Sequence, residues 1–110
     1  PSKVWRIYEE YMNLSRQALA ADPDVKLVVW PETMFPFPWM ILRDDAQAPP
    51  EWETTLEEIR ERQTNFRNAV ITTARDLNKP LLLGISTIIV EAEGTRGYNS
   101  ALYVDRTGQA

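Results

Sequence analysis

Lys26-Leu27-Val28-Val29-Trp30-Pro31-Glu32-Thr33-Met34-Phe35-Pro36 is the stretch on which the fold turns. Leu27, Val28, Val29 and Trp30 form an apolar run without alternation, the pattern of a strand covered on both faces. Pro31 lacks the N–H that a central ladder needs, so pairing is expected to end there. Glu32 then falls just past the carboxyl end of a core strand, where open α/β sheets hold their ligands. Partly desolvated between Trp30 and Phe35, its carboxylate would serve as a general base; fully solvated, it is an ordinary strand-end glutamate. These residues alone leave both readings open.

The rest of the chain narrows the classes. Its 110 residues suffice for one small domain. With 44% hydrophobic and 25% charged residues the chain is globular in composition, not disordered. A net charge of −4 and the lack of any basic cluster argue against a nucleic-acid partner. There is no cysteine and no histidine. That removes a disulfide framework, a thiolate nucleophile, a Ser-His-Asp arrangement and imidazole or thiolate metal ligands from these residues. No apolar run approaches the roughly 20 residues of a membrane-spanning helix.

Val4, Ile7, Tyr8, Tyr11, Leu14 and Ala18 recur at helical spacing opposite Arg6, Glu9, Glu10, Asn13 and Arg16, which predicts an amphipathic helix of four to five turns. The tyrosines and Met12 read as core at this spacing. Asp22-Pro23-Asp24 ends the helix and turns the chain into the strand. Residues 31–50 read as an irregular loop that is both proline-rich and apolar, with Met34, Phe35, Phe37, Trp39, Met40, Ile41 and Leu42 close together. Loops normally carry polar residues, so this one either folds over the end of the sheet or contacts something greasy.

Leu56, Ile59, Gln63, Phe66, Val70, Ala74 and Leu77 predict a second helix, started by a capping box at Thr54–Glu57 or Thr55–Glu58. Glu57, Glu58, Arg60, Glu61, Arg62 and Arg67 form its solvated face. Leu81-Leu82-Leu83-Gly84-Ile85, extended to Val90, is a further apolar strand. Residues 91–97 read as a polar turn, Tyr98 to Val104 as the return strand of a hairpin, and Asp105-Arg106-Thr107-Gly108 as another turn. The order of helix, strand, long loop, helix, strand, strand gives the fold class α/β.

Taken together, Trp30-Pro31-Glu32-Thr33 with Phe35-Pro36, Leu82-x-Gly84, and Tyr98-Asn99-Ser100-Ala101 leading to Gly108 resemble the nitrilase (carbon–nitrogen hydrolase) superfamily. Tyr11-x-x-Leu14-Ser15-Arg16, Trp-Pro-Glu and Tyr-Asn-Ser point to its apolipoprotein N-acyltransferase branch. The resemblance extends over essentially all 110 residues. It implies part of a nitrilase-type α-β-β-α sandwich, with residues 1–110 an N-terminal part of that domain, incomplete at both ends. It also implies a Glu–Lys–Cys catalytic set without any cofactor or metal. The glutamate would take the thiol proton, the lysine stabilise the oxyanion and the cysteine become acylated.

Only the glutamate carries over, onto Glu32; the family's lysine and cysteine would lie beyond Ala110. Lys26 and Lys79 do not match the lysine's place. Relatives often carry a tryptophan ahead of the first helix, but Trp5 is too close to Tyr11 to take that role. By resemblance, the parent protein moves an acyl chain from a phospholipid donor to the N-terminal diacylglyceryl-cysteine of a lipoprotein acceptor. It would work at the periplasmic face of the bacterial inner membrane, as an integral membrane protein of which this segment is a soluble part. Phe35, Phe37 and Trp39 are then expected to contact acyl chains or membrane. With strands missing on either side, the 110-residue piece is expected to be inactive and to self-associate. Two other readings stay open: a soluble nitrilase-type amidase, and a non-catalytic interaction module with the same layered fold.

Overall fold

The hub of the molecule is one long strand near the end of the chain, and every other strand pairs with it. The computed structural model describes residues 2–31 and 35–110. In chain order these form α1 (Ser2–Ala21), β1 (Val28–Trp30), β2 (Trp39–Leu42), a 3-10 turn (Pro50–Trp52), α2 (Leu56–Leu77), β3 (Leu81–Glu91) and β4 (Gly94–Val104). β4 runs antiparallel to β3 along its whole length, from Leu81↔Val104 to Glu91↔Gly94. β1 pairs parallel with the start of β3 (Val28↔Leu81 to Trp30↔Leu83), and β2 pairs parallel with its end (Trp39↔Thr87 to Leu42↔Val90). A strand has two edges, so β1 and β2 share the edge that β4 leaves. The class is α/β, as the sequence predicts.

Three expectations are corrected. Residues 31–50 are not wholly irregular, because Trp39-Met40-Ile41-Leu42 pairs with β3 and accounts for much of the apolar content. Four residues directly after Pro36 and Pro38 give too short a pattern to be read as a strand. β1 is not covered on both faces: Val29 is 60% exposed, and its row-mate Tyr103, across Leu82, is 52% exposed. Among the described residues both helices lie on the other face. The hairpin turn is Ala92-Glu93 alone, since Gly94 at φ +134° allows β4 to begin directly after it.

The core is built between that other face and the helices. Leu81, Leu83 and Ile85 of β3 meet Val70, Ala74 and Leu77 of α2, with Met12 of α1, Trp30 and Val104 closing the cluster. A second cluster joins Ile59 of α2 to Met40, Ala46 and Val90. α1 seats itself less by its apolar stripe than by hydrogen bonds and rings. Val4 and Leu14, expected in the core, are 52% and 60% exposed. Ser15 instead accepts a hydrogen bond from the Trp30 indole N–H at 3.1 Å. The Thr73 hydroxyl donates to the Ala69 carbonyl, which leaves the Tyr8 O–H as donor to Thr73 at 2.7 Å.

α2 opens with a capping box, and of the two candidates it is Thr55–Glu58. The Thr55 hydroxyl oxygen accepts from the Glu58 N–H at 3.1 Å, and the Thr55 N–H donates to the Glu58 carboxylate at 3.1 Å. After β4, Asp105 folds the chain back. Its carboxylate accepts from the Thr107 hydroxyl at 2.6 Å and from the N–H groups of Thr107 and Gln109 at 2.9 and 3.0 Å. Arg75 of α2 donates to the Thr107 carbonyl at 2.7 Å, and Gly108, at φ +97°, lies so close to Ile71 that a Cβ would stand 2.5 Å from its Cγ2.

Thr55→Ala is expected to cost about 1 kcal/mol, read as a fall of about 4–8 °C in thermal unfolding. Thr54→Ala, outside the box, should lower the midpoint less, and an equal loss for both would contradict the assignment. A second expectation concerns acid. The Thr107 hydroxyl and the turn's N–H groups hold the Asp105 carboxyl below its ordinary value. Its stabilising effect is therefore complete above the unfolded-state value near ~4 and fades as pH falls through the lower folded one. Asp105→Asn should be less stable than wild type at neutral pH and converge with it in acid, as checked by urea titrations across that range.

Candidate functional site

The register of the sheet defines the candidate site. Between Trp30↔Leu83 and Trp39↔Thr87, residues 31–38 of one chain segment stand opposite only Gly84, Ile85 and Ser86 of β3. The chain leaves the ladder after Trp30 and rejoins it at Trp39, between two strands that share one edge of β3. Pairing does stop before Pro31, as its missing N–H requires. Glu32, the residue expected to act as base, lies outside the described residues, as do Thr33 and Met34.

Aromatic rings fix both flanks of this break. Trp30, only 2% exposed, meets Tyr8 and Tyr11 of α1 edge-on, at centroid separations of 5.6 and 5.7 Å. Phe35, on the other flank, is buried against Tyr8 (5.9 Å), Trp30 (6.4 Å) and Phe37 (6.2 Å). Phe37 is half-buried and stacks face to face on Phe66 of α2, at 4.7 Å and 8°. Edge-to-face and offset pairs of this kind each add about 0.5–1.5 kcal/mol to the burial of the rings. Trp39 is half-buried too, with the Arg67 guanidinium 4.7 Å from its ring centroid.

The three aromatic residues expected at acyl chains or membrane are thus found in different settings. Phe35 is interior, while Phe37 and Trp39 each keep part of their surface open. Reading the sequence missed Tyr8 as the ring that touches both flanks, Phe66 as the partner of Phe37, and Arg67 as more than a solvated charge. Arg67 and Gln63 both donate to the Met40 carbonyl, at 3.4 and 2.9 Å, and so satisfy an acceptor on the free edge of β2. The available signal was spacing: Gln63, Phe66 and Arg67 lie one helical turn apart, on the side of α2 that meets β2.

Beside this cluster is an open apolar depression of about 370 Å³, lined by Pro38, Met40, Trp52, Arg62, Phe66 and Ile88. Its volume lies in the range of small-ligand pockets, and Arg62 supplies the one charge in its wall. Among the described residues no group of three or more acidic side chains gathers in metal-binding geometry. No helix among them is long and apolar enough to cross a membrane.

Comparison with known proteins adds two likenesses. No family model matches the chain. Apolipoprotein N-acyltransferase 1 of Treponema denticola is 64% identical over 28 residues, which is 26% of this chain and 5% of that protein. A crystal structure of a carbon-nitrogen hydrolase from Helicobacter pylori G27 superposes over 98% of this chain with a TM-score of 0.55 and 24% identity. The chain spans only 33% of that hydrolase. Its fold is accordingly like that of one third of a carbon–nitrogen hydrolase, and a short stretch of its sequence is similar to an apolipoprotein N-acyltransferase.

Proposed function

We propose that this chain is the N-terminal part of the catalytic domain of an apolipoprotein N-acyltransferase, incomplete at both ends, and that Glu32 is its general base. The feature that carries the reading is the sequence Trp30-Pro31-Glu32-Thr33, whose Trp30 is the last residue of β1 and whose Pro31 ends the pairing. The hydrolase-like fold and the 28-residue match support it. In this reading Glu32 takes the proton of a cysteine thiol supplied by chain outside these residues. The thiolate attacks the acyl carbonyl of a phospholipid, forming a thioester and releasing the lysophospholipid. The α-amine of a diacylglyceryl-cysteine then attacks the thioester, the acyl group passes to nitrogen, and the thiol is regenerated. A lysine, also outside these residues, stabilises the oxyanion of both steps.

The exposed parts of Phe37 and Trp39 contribute apolar surface toward the acyl chain, with Phe35 behind them. The site works at the periplasmic face of the bacterial inner membrane, in a protein anchored there by other segments. A soluble amidase is the alternative, favoured by the hydrolase named in the structural likeness.

In the whole protein, Glu32→Gln keeps the shape and removes the base. Acyl transfer to a lipopeptide acceptor should fall by about 10²–10⁴-fold with an unchanged circular dichroism spectrum. Normal transfer by that variant would defeat the assignment. Hydrolysis of small amides without lipopeptide acylation by the wild type would favour the amidase.

The 110-residue chain by itself is expected to be inactive, having no thiol, and to self-associate through the uncovered face around Val29 and Tyr103. Sedimentation at micromolar concentration should show association that Val29→Lys with Tyr103→Lys abolishes. A wild-type monomer at all concentrations would refute it.

A further inference from the structure

Among the described residues, Tyr8 is the one ring of either helix that touches both flanks of the segment bearing Glu32. It meets Trp30 edge-on at 5.6 Å and 73°, and Phe35 edge-on at 5.9 Å and 77°. Trp30 and Phe35 are 6.4 Å apart, so the three rings form a closed set. Trp30 is the last residue of β1, and Phe35 follows residues 32–34 in the chain. Tyr11 pairs with Trp30 and not with Phe35, and Phe37 pairs with Phe35 and not with Trp30. Trp30 is anchored without Tyr8, through Tyr11 and through its N–H bond to Ser15. What Tyr8 adds is the link from Trp30 to Phe35.

The linking ring is itself anchored. Its hydroxyl donates at 2.7 Å to Thr73 of α2, a fully buried residue whose own O–H goes to the Ala69 carbonyl at 2.8 Å. Trp5 packs edge-on against it at 5.7 Å. Tyr8 cannot turn away from either flank without giving up this hydrogen bond or its ring contacts. A general base acts only within hydrogen-bond reach of the proton it takes, about 2.6–3.2 Å. A misplacement of about 1 Å, caused far from the chemistry, can cost about 10²-fold in rate. A carboxylate carried on an irregular segment therefore depends on what holds the two ends of that segment.

We propose that Tyr8 is a positioning residue: tied to Thr73, it holds Trp30 and Phe35 together and so sets the placement of Glu32. The inference rests on the reading of Glu32 as general base. It adds the side chain through which both helices govern that base.

The test is a double-mutant cycle in the whole protein, read as the single-turnover rate of thioester formation at saturating phospholipid. Tyr8→Leu, which removes ring and hydroxyl, should slow this step by about 10–100-fold with phospholipid affinity unchanged. Tyr8→Phe keeps the ring and should recover all but about threefold, the effect of one neutral hydrogen bond. In the Glu32→Gln background both substitutions should have no further effect, because misplacing the base costs nothing once the base is gone. A side chain that merely supports the fold would slow both backgrounds alike. Thr55→Ala, at the start of α2, should leave the rate unchanged while lowering the unfolding midpoint, which separates positioning from destabilisation. Should circular dichroism show Tyr8→Leu unfolded, the cycle is read with Tyr8→Phe, whose loss must likewise vanish without Glu32. Normal thioester formation by Glu32→Gln would defeat the general-base reading and this proposal with it. A slowed Glu32→Gln protein, together with an equal loss from the Tyr8 substitution in both backgrounds or with no loss in either, would overturn the proposal alone.

Discussion

A β-strand offers two edges for hydrogen bonding, and in this molecule both edges of β3 are used. β4 occupies one edge for all eleven residues of β3. The other is divided between β1 and β2, whose registers leave too many residues for the gap between them. The surplus has to leave the ladder opposite Gly84, Ile85 and Ser86. Pro31, Pro36 and Pro38 lie in that stretch, where the absence of an N–H costs no ladder bond. Trp30 and Pro31 therefore stand at a break within a sheet edge, a place set by pairing on either side of it.

Rings hold the two sides of that break together. Fully burying a side chain the size of Trp30 removes about 150–250 Å² from water, worth roughly 4–6 kcal/mol before entropy is subtracted. Its indole N–H is satisfied by Ser15, so the burial leaves no orphaned donor. Tyr8 touches Trp30 and Phe35 at once and reaches α2 through Thr73. In the fully described part of α1 only Met12 is buried, so this helix is docked chiefly by its aromatic and hydroxyl contacts. The motif Tyr11-x-x-Leu14-Ser15-Arg16 finds its physical meaning here, since Tyr11 and Ser15 both serve Trp30.

The two strands that share an edge of β3 are treated differently on their own outer edges. β2 has its Met40 carbonyl covered by Gln63 and Arg67 from α2. β1 is bordered by an apolar groove of about 350 Å³, and no strand among the described residues pairs with its outer edge. The radius of gyration is 15.3 Å, against the roughly 13 Å of a compact domain of this length. A single sheet with helices on one face is elongated in this way. The apolar row Val29–Leu82–Tyr103 lies on the face the helices do not reach.

What the sequence determined by itself is local. The two helices, a capping box at the start of the second, the strand stop at Pro31, the Asp105 turn and the α/β class follow from spacing, caps and missing donors, all of which act within a few residues, although the choice of Thr55–Glu58 over Thr54–Glu57 came from the structure. The Trp30-Pro31-Glu32-Thr33 string is visible in the sequence on the same terms, while Glu32 itself lies outside the described residues. Pairing partners were not legible. That Trp39–Leu42 is a strand, that Arg67 lies over the Trp39 ring, and that Val4, Leu14 and Val29 stay exposed were decided by contacts between residues far apart in the chain. A strand four residues long has almost no signal of its own and exists because β3 has an edge to offer it. Periodicity likewise tells which side of an element is apolar, but only the tertiary packing decides whether anything covers it.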